Sequence, residues 1–326
     1  MKKVTYKASA DIALVKYWGK KDEILRLPEN GSISLILDGL DTITTIEFQE
    51  DLKKDDITIE GKSGNKETVR VAKHLNRIRK LAGKNIFAKV VSKNTFPKAT
   101  GLSSSGSGFS ALTFAATKAL NLNLTEKELS ILSRQGSGTA CRCSCSGIVE
   151  WKDADSSEES YSETVFAADY WDIRDIVAVV DEGKKKISST QGHTTAQSSK
   201  FFQLRQDGIK EKILKAKKYI KTKDFTKLGK LVESECLEFH SILITSNPAL
   251  VLWYPGTMQV INEVENMRAE GIEAYYTINT GFNLHVLTLP EFEDEVEKRI
   301  SSLSLVKKTI NTKIGKGPEE LVDHLF

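Results

Sequence analysis

"PKATGLSSSGSGFSALTFAATKAL", residues 97 to 120, places a proline and a run of glycines and serines directly ahead of apolar residues at helical spacing. A helix start presents unpaired backbone N–H groups and the positive end of the helix dipole, so an anion can settle there without a charged side chain. Glycines let the backbone come close. Ser103, Ser104, Ser105 and Ser107 add hydroxyls that can donate to phosphate or ligate the Mg²⁺ that accompanies a nucleotide. The stretch is not a Walker loop, because no Gly-Lys-Ser/Thr closes it, and it is not GxGxxG followed by an acidic residue. Taken alone, a Gly/Ser-rich helix start is more often a structural cap than a phosphate site.

Bulk composition narrows the partners. The chain has 326 residues, 40% hydrophobic and 28% charged, enough to bury the core of one large domain or two moderate ones. With 47 basic against 44 acidic residues the net charge is only +3, so no nucleic-acid partner is expected and any anion must be caught by local design. No apolar run is long enough to cross a bilayer, and "MKKVTYKASAD" lacks the apolar core of a signal peptide, so a cytoplasmic protein without a membrane partner is expected. Three of the four cysteines alternate in "CRCSCSG" as Cys141, Cys143 and Cys145. A metal site there would need a fourth ligand such as Cys236 or His240, and the two-residue spacer of zinc knuckles is missing. Small buried thiols are the expected reading, with no protein-held metal.

Along the chain, "VTYKASADIALVKYWG" reads as a strand, and "SISLILDGLDTITTIEFQ" with "DDITIEG" as a strand pair in which Asp38-Gly39 offers the turn. "NKETVRVAKHLNRIRKLAG" predicts a helix with Val69, Ala72, Leu75, Ile78 and Leu81 on a drifting apolar face and Gly83 past its end. "NIFAKVVSKNTF" is a strand, and "LTEKELSILSRQGS" a helix opened by a Thr125–Glu128 capping box. "GIVEW" and "IRDIVAVVDEG" follow as strands. Helical segments from Phe201 to about Glu238 and from Trp253 to Glu270 precede the strands "EAYYTINTG" and "NLHVLTL" and a last helix from Pro290. The pattern predicts an α+β protein in two lobes, residues 1–185 and 186–326.

Four segments together, "ASADIALVKYWGK", the serine loop, "SRQGSGTACR" and "YYTINTGFN", resemble the GHMP small-molecule kinase superfamily and, within it, the mevalonate diphosphate decarboxylases. The family pattern runs close to N-I-A-x-I-K-Y-W-G-K, P-x-x-x-G-L-A-S-S-A-S, R-R-G-S-G-S-A-x-R and T-x-D-A-G-P-N, and the likeness extends over essentially the whole chain. It implies a two-lobed fold, an S5-like N-terminal lobe and a ferredoxin-like α/β sandwich, with the active site in the cleft between. It also implies ATP and Mg²⁺ as cofactors, a phosphorylated mevalonate as substrate, and a homodimer. The implied reaction phosphorylates the 3-hydroxyl of a 5-phosphorylated mevalonate and then expels phosphate and CO₂, giving isopentenyl phosphate or diphosphate.

Residue by residue, the resemblance places ATP on Lys98, Gly101, Leu102, Ser103, Ser104, Ser105, Gly106 and Ser107, with Ser105 also counted among the catalytic group. Lys16 is the candidate cation beside the reacting hydroxyl, since an ammonium inside "IALVKYW" would be expensive if idle. Arg142 offers a planar fork for the substrate carboxylate. Tyr17, Lys20, Ser137, Gly138 and Thr139 fall where the family holds the 5-phosphate end, while Trp18 and His240 read as packing residues. Two departures stand out. Asn279 occupies the catalytic aspartate position, beside Thr280 and Phe282, and an amide cannot take a proton as a carboxylate does. Thr190, with His193 following, stands where an arginine would meet a second phosphate, which favours a 5-monophosphate unless Lys185 or Lys186 compensates. A 3-kinase that does not decarboxylate, or a binding protein on the same fold, remain alternatives.

Overall fold

The computed structural model describes residues 2–96, 103–183 and 189–326, with the side chains of Ser189, Thr190 and Gln191 outside that description. Strand periodicity explains how the layers stack. In the Val4–Val15 strand Ala10, Ile12 and Leu14 join the core shared with the second sheet, while Asp11 points the other way. This strand lies between Ser32–Gln49 and the short Glu319–Leu321, in a seven-stranded sheet that is antiparallel except where Asp56–Ile59 runs beside Phe87–Asn94. On one face lie the helices Lys66–Ala82 and Ser104–Ala119, packing Leu75, Ile78, Phe109 and Leu112 on Ile46 and Phe48. Against the other face lie Phe202–Lys221 and Phe225–Thr245. These two helices also cover the four-stranded antiparallel sheet ordered Ala274–Thr277, Leu284–Thr288, Arg174–Val179 and Lys308–Lys313. Pro255–Ala269 and Glu293–Ser301 close that sheet's far side.

Sheet membership cuts across the expected division at residue 185. Arg174–Val179 precedes it yet belongs to the second sheet, and Glu319–Leu321 returns from the far end to the first. The lysine-rich chain end after the last helix supplies both Lys308–Lys313 and that return strand.

Three local expectations are corrected. Asp38-Gly39 does not turn the chain: Ser32–Gln49 is one strand, and the register with its neighbour slips between Ser9/Asp41 and Asp11/Ile36. Gly39 adopts φ 78° inside that bulge, while Leu37 bridges Ile314 and Gly315 donates to the Ile36 carbonyl, so pairing from outside keeps the segment extended. The helix near residue 201 ends at Lys221; Asp224 then caps a new one that runs on to Thr245. In Lys66–Ala82 the buried stripe is Val71, His74, Leu75 and Ile78, with Val69 and Leu81 exposed, because a three-residue repeat drifts off any one face of a 3.6-residue helix. The Thr125–Glu128 capping box and the Gly83 cap form as expected.

Candidate active site

The chain leaves its first strand at Lys16, and three elements grip it there. The Lys16 N–H donates to Glu235 Oε1 at 3.0 Å, and its carbonyl accepts from Arg205 and Asn30. Arg205, Lys212 and Glu235 form a buried ion cluster between two helices. Burial pushes Glu235 up, but Arg205 and Lys212 outweigh it and hold the carboxylate below its usual range. The Lys16 side chain is itself buried. Its ammonium donates to the Ala13 carbonyl at 2.5 Å, to Thr277 Oγ1 at 2.6 Å and to Asn279 Oδ1 at 3.3 Å. Burial lowers its pKa to about 8, with Arg142 adding to the drop and Cys236, Glu235 and Asp11 opposing it.

Asn279 in turn donates through Nδ2 to Ser103 Oγ at 3.4 Å. Ser103, in left-handed backbone at φ 53°, sits at the foot of Ser104–Ala119. Lys16, Thr277–Asn279 and the serine loop, distant in sequence, therefore meet at one point. Asn283 fixes the exit of the asparagine loop by accepting from the Val180 and Asp181 N–H groups, and Phe282 stacks on Tyr254 in the core.

The serines divide by role. Ser105 Oγ donates to Ser137 Oγ at 3.2 Å, joining the helix start to the "GSGTACR" turn. Ser107 is fully buried, with its hydroxyl 2.7 Å from Thr42 Oγ1, so it ties the helix to the sheet instead of offering a donor to a ligand. Gly106 is required by close packing: a Cβ would sit 2.9 Å from Cys143 Sγ and from Thr139 Oγ1. Ser104 and Ser105 border a cavity of about 100 Å³ lined also by Ile59, Val71, Val90, Phe109 and Leu112. Lys98, Gly101 and Leu102 lie outside the described residues, as do Lys185 and Lys186.

Arg142 lies in the turn Gly138–Ser144, buried, with Nε 2.7 Å from Asp11 Oδ2 and Nη1 donating to Ser32 Oγ at 2.9 Å. Cys141 and Cys143 are buried beside it. Burial pushes the Cys141 thiol up to about 12 and Cys143 well above its usual value, which leaves both as inert packing groups. No cluster of three or more His, Cys, Asp or Glu that could hold a metal occurs among the described residues.

At the other end of the cleft, Tyr17 packs tilted against Trp151 and stacks on His193, with ring centroids 4.6 and 4.4 Å away. The buried Tyr17 hydroxyl has no hydrogen-bond partner among the described residues, and a Cβ on Gly138 would lie 3.1 Å from it. His193 also packs in a tilted contact with Trp18, and its Nδ1 accepts from the Gly19 N–H at 3.1 Å. Trp18 is a core residue against Phe239. Lys20 pairs with Glu23 at 2.8 Å. Thr139 flanks the Gly106 contact, and the Thr190 side chain is outside the description. His240 is buried, with Nε2 3.3 Å from the Ile278 carbonyl and its pKa lowered by burial to about 3, so it stays neutral as expected of a packing histidine.

Sequence reading passes over two groups. Asp11 gave a signal, a carboxylate inside an apolar run. Arg70 gave none, because on a helix surface it resembles any solvated cation; in the fold it leans over the Phe109 ring and donates to Gly136 O at 3.2 Å and Ser105 Oγ at 3.4 Å. Burial, with Arg26 nearby, lowers its pKa to about 10.

Residues 8–162 match the diphosphomevalonate decarboxylase-like N-terminal domain, and residues 175–321 match the mevalonate 5-diphosphate decarboxylase C-terminal domain. The chain belongs to the mevalonate diphosphate decarboxylase family. It is 31% identical to the diphosphomevalonate decarboxylase of Candida albicans, over 98% of each chain. It is 30% identical to the phosphomevalonate decarboxylase of Haloferax volcanii, again over 98% of each. The solved structure of MDDEF in complex with MVAPP, AMPPCP and magnesium superposes with a TM-score of 0.92 at 35% identity, covering 98% of both chains. The fold is accordingly the two-lobed GHMP kinase-like α+β architecture of this family.

Proposed function

We propose that this chain catalyses the ATP-dependent decarboxylation of a 5-phosphorylated mevalonate, with the reaction centred on Lys16 and Arg142. The observation that carries this is the junction of Lys16 Nζ, Asn279 and Ser103, which sets a buried ammonium beside the foot of the phosphate-binding helix. ATP approaches along Ser103, Ser104 and Ser105, with its base in the apolar cavity next to Phe109. Mg²⁺ suits this site as a nucleotide-borne ion: hydroxyls such as Ser105 are at hand, and phosphate oxygens and water supply the other ligands of a hard cation. Bound there, it would neutralise charge on the transferring phosphoryl group.

The 3-hydroxyl oxygen attacks the γ-phosphorus, the bond to the bridging oxygen of ADP breaks, and the hydroxyl proton is lost to a phosphate oxygen or water. Lys16 as ammonium stabilises the charge gathering on the transferred group. The substrate carboxylate rests on the guanidinium of Arg142. The C1–C2 bond then releases CO₂, its electron pair forms the alkene, and the 3-phosphate leaves as inorganic phosphate. Asn279 orients Lys16 and Ser103 and takes no proton.

The 5-phosphate end is read by Tyr17, Lys20, Ser137, Gly138, Thr139, Thr190 and His193, and the favoured substrate is the 5-monophosphate. Thr190 supplies no fork cation for a second phosphate, and Lys20 already carries Glu23. Incubation with ATP, Mg²⁺ and either mevalonate 5-phosphate or mevalonate 5-diphosphate, following ADP, phosphate and CO₂, tests substrate and reaction together. ADP without CO₂ would make the chain a 3-kinase. A cytoplasmic homodimer completes the reading, tested by light scattering at twice the 36.3 kDa chain mass.

A further inference from the structure

Two cations, Lys16 and Arg142, are buried in the same corner, and Arg142 raises the cost of the Lys16 charge. The carboxylates that favour the Lys16 ammonium are Glu235 and Asp11. Glu235 is already matched by Arg205 and Lys212, so it brings no surplus negative charge to the corner. Asp11 is different. Its side chain is completely buried, its Oδ2 lies 2.7 Å from Arg142 Nε, and its Oδ1 accepts from Cys143 Sγ at 3.6 Å. Across from it, the Lys16 ammonium donates to uncharged groups: the Ala13 carbonyl, Thr277 Oγ1 and, at 3.3 Å, the neutral amide of Asn279.

The family pattern set out above has this arrangement reversed, with asparagine at residue 11 and aspartate at residue 279. We propose that carboxylate and amide have exchanged places in this chain, so that Asp11 is the positioning residue that supplies the corner's compensating charge and Asn279 is neutral because of it. Through Nε, Asp11 fixes the plane of the Arg142 guanidinium and so the direction in which its fork can meet a substrate carboxylate. A second carboxylate at residue 279 would bring three into one buried space once substrate is bound, and two would repel the third. No bond-making step changes; what moves is the site of the negative charge.

This inference rests on the placement of the reaction at Lys16 and Arg142, and the experiment separates the two. Asp11→Asn, Asn279→Asp and the double variant are compared with the parent in CO₂ release from mevalonate 5-phosphate and from mevalonate 5-diphosphate, with Arg142→Lys run alongside. Each single variant is expected to lose about thirtyfold or more in kcat, and the double variant to return to within about fivefold of the parent, as sites that act on one shared group, here the Lys16 ammonium, couple non-additively. A second readout is the alkaline limb of the kcat/KM profile. Lys16 is faced by Asp11 from its own strand, by Glu235, Cys236 and His240 from one helix, by Arg205 from another and by Arg142 from the turn. Removing Asp11 alone moves the limb to lower pH, and the double variant moves it back; a merely structural loss would leave the limb in place. A gain in decarboxylation from Asn279→Asp alone, or a double variant no better than the product of the singles, overturns the exchange. If Arg142→Lys also kept its full rate, the reaction centre itself would be misplaced.

Discussion

Arg134 and Arg142 lie in one short stretch, "SRQGSGTACR", and both are buried, but their guanidinium groups are used differently. Arg134 donates to the carbonyls of Leu25, Ser157 and Ser160 and to Ser157 Oγ, so its protons are consumed by backbone that would otherwise lack partners. Arg142 meets one carboxylate and one hydroxyl, Asp11 and Ser32. A cation saturated by carbonyls is a strut; one held in place by a counter-charge is aimed. Lys16 belongs with Arg142, since burial lowers its pKa to about 8 and its partners include the side-chain amide of Asn279.

The largest break in that comparison comes from Lys16→Met. The side chain keeps an unbranched apolar shape one atom shorter and loses its charge, so kcat should fall on the order of a thousandfold as an ammonium aimed at developing charge disappears. Thermal stability should hold or rise, because a buried cation costs more than an apolar isostere. Parallel measurements of CO₂ release and melting temperature check it; a melting temperature that collapsed with the rate would put Lys16 among the struts.

Arg142→Lys and Arg134→Lys should then diverge. The first keeps charge but loses the fork, costing about 2 kcal/mol or more of transition-state stabilisation with little change in melting. The second leaves several carbonyls unpaired and should cost about 3 kcal/mol of stability with kcat/KM unchanged once the protein is folded. Denaturant titration and steady-state kinetics on both variants decide, and matching profiles would erase the distinction.

That distinction was only half legible in the sequence. Arg142 could be picked out because its motif resembles a known family, and Lys16 because an idle ammonium in "IALVKYW" is implausible. The capping box and the Gly83 cap followed from local chemistry that tertiary contacts then left alone. Asp38-Gly39 misled because its composition suits a hairpin, while the pairing that keeps it extended comes from Ile314 and Gly315, far along the chain. Ser107 misled in the same way. A serine facing a ligand and one bonded to Thr42 are indistinguishable until the helix is docked.

Titration sharpens the assignment of Lys16 because activity and stability should move in opposite directions. Its pKa falls from 10.5 in the unfolded chain to about 8 in the fold, so between those values the unfolded state binds more protons. Stability contributed by this group therefore rises with pH across that window, while below about 8 the full burial cost is present, on the order of 3 kcal/mol. Turnover that depends on the ammonium falls over the same range. The stability gap between Lys16→Met and the parent should be widest near neutrality and close toward pH 10.5, as followed by chemical denaturation in matched buffers. A gap that stayed constant would mean that Lys16 is not the group titrating.

The smallest effect separates two serines on one helix. Ser105 bridges to Ser137 at the cleft, so Ser105→Ala should lower ATP-dependent kcat/KM by about 1 kcal/mol, roughly fivefold, with the melting temperature nearly fixed. Ser107→Ala removes the partner of Thr42 inside the protein and should cost about the same amount in stability, leaving the KM for ATP where it was. The reasoning is the one that divides the arginines: a polar group satisfied by the fold supports the fold, and a polar group at the cleft supports the ligand. If Ser107→Ala changed the KM for ATP and Ser105→Ala did not, the phosphate cradle would have to be redrawn one helical turn deeper, with Thr42 as part of it.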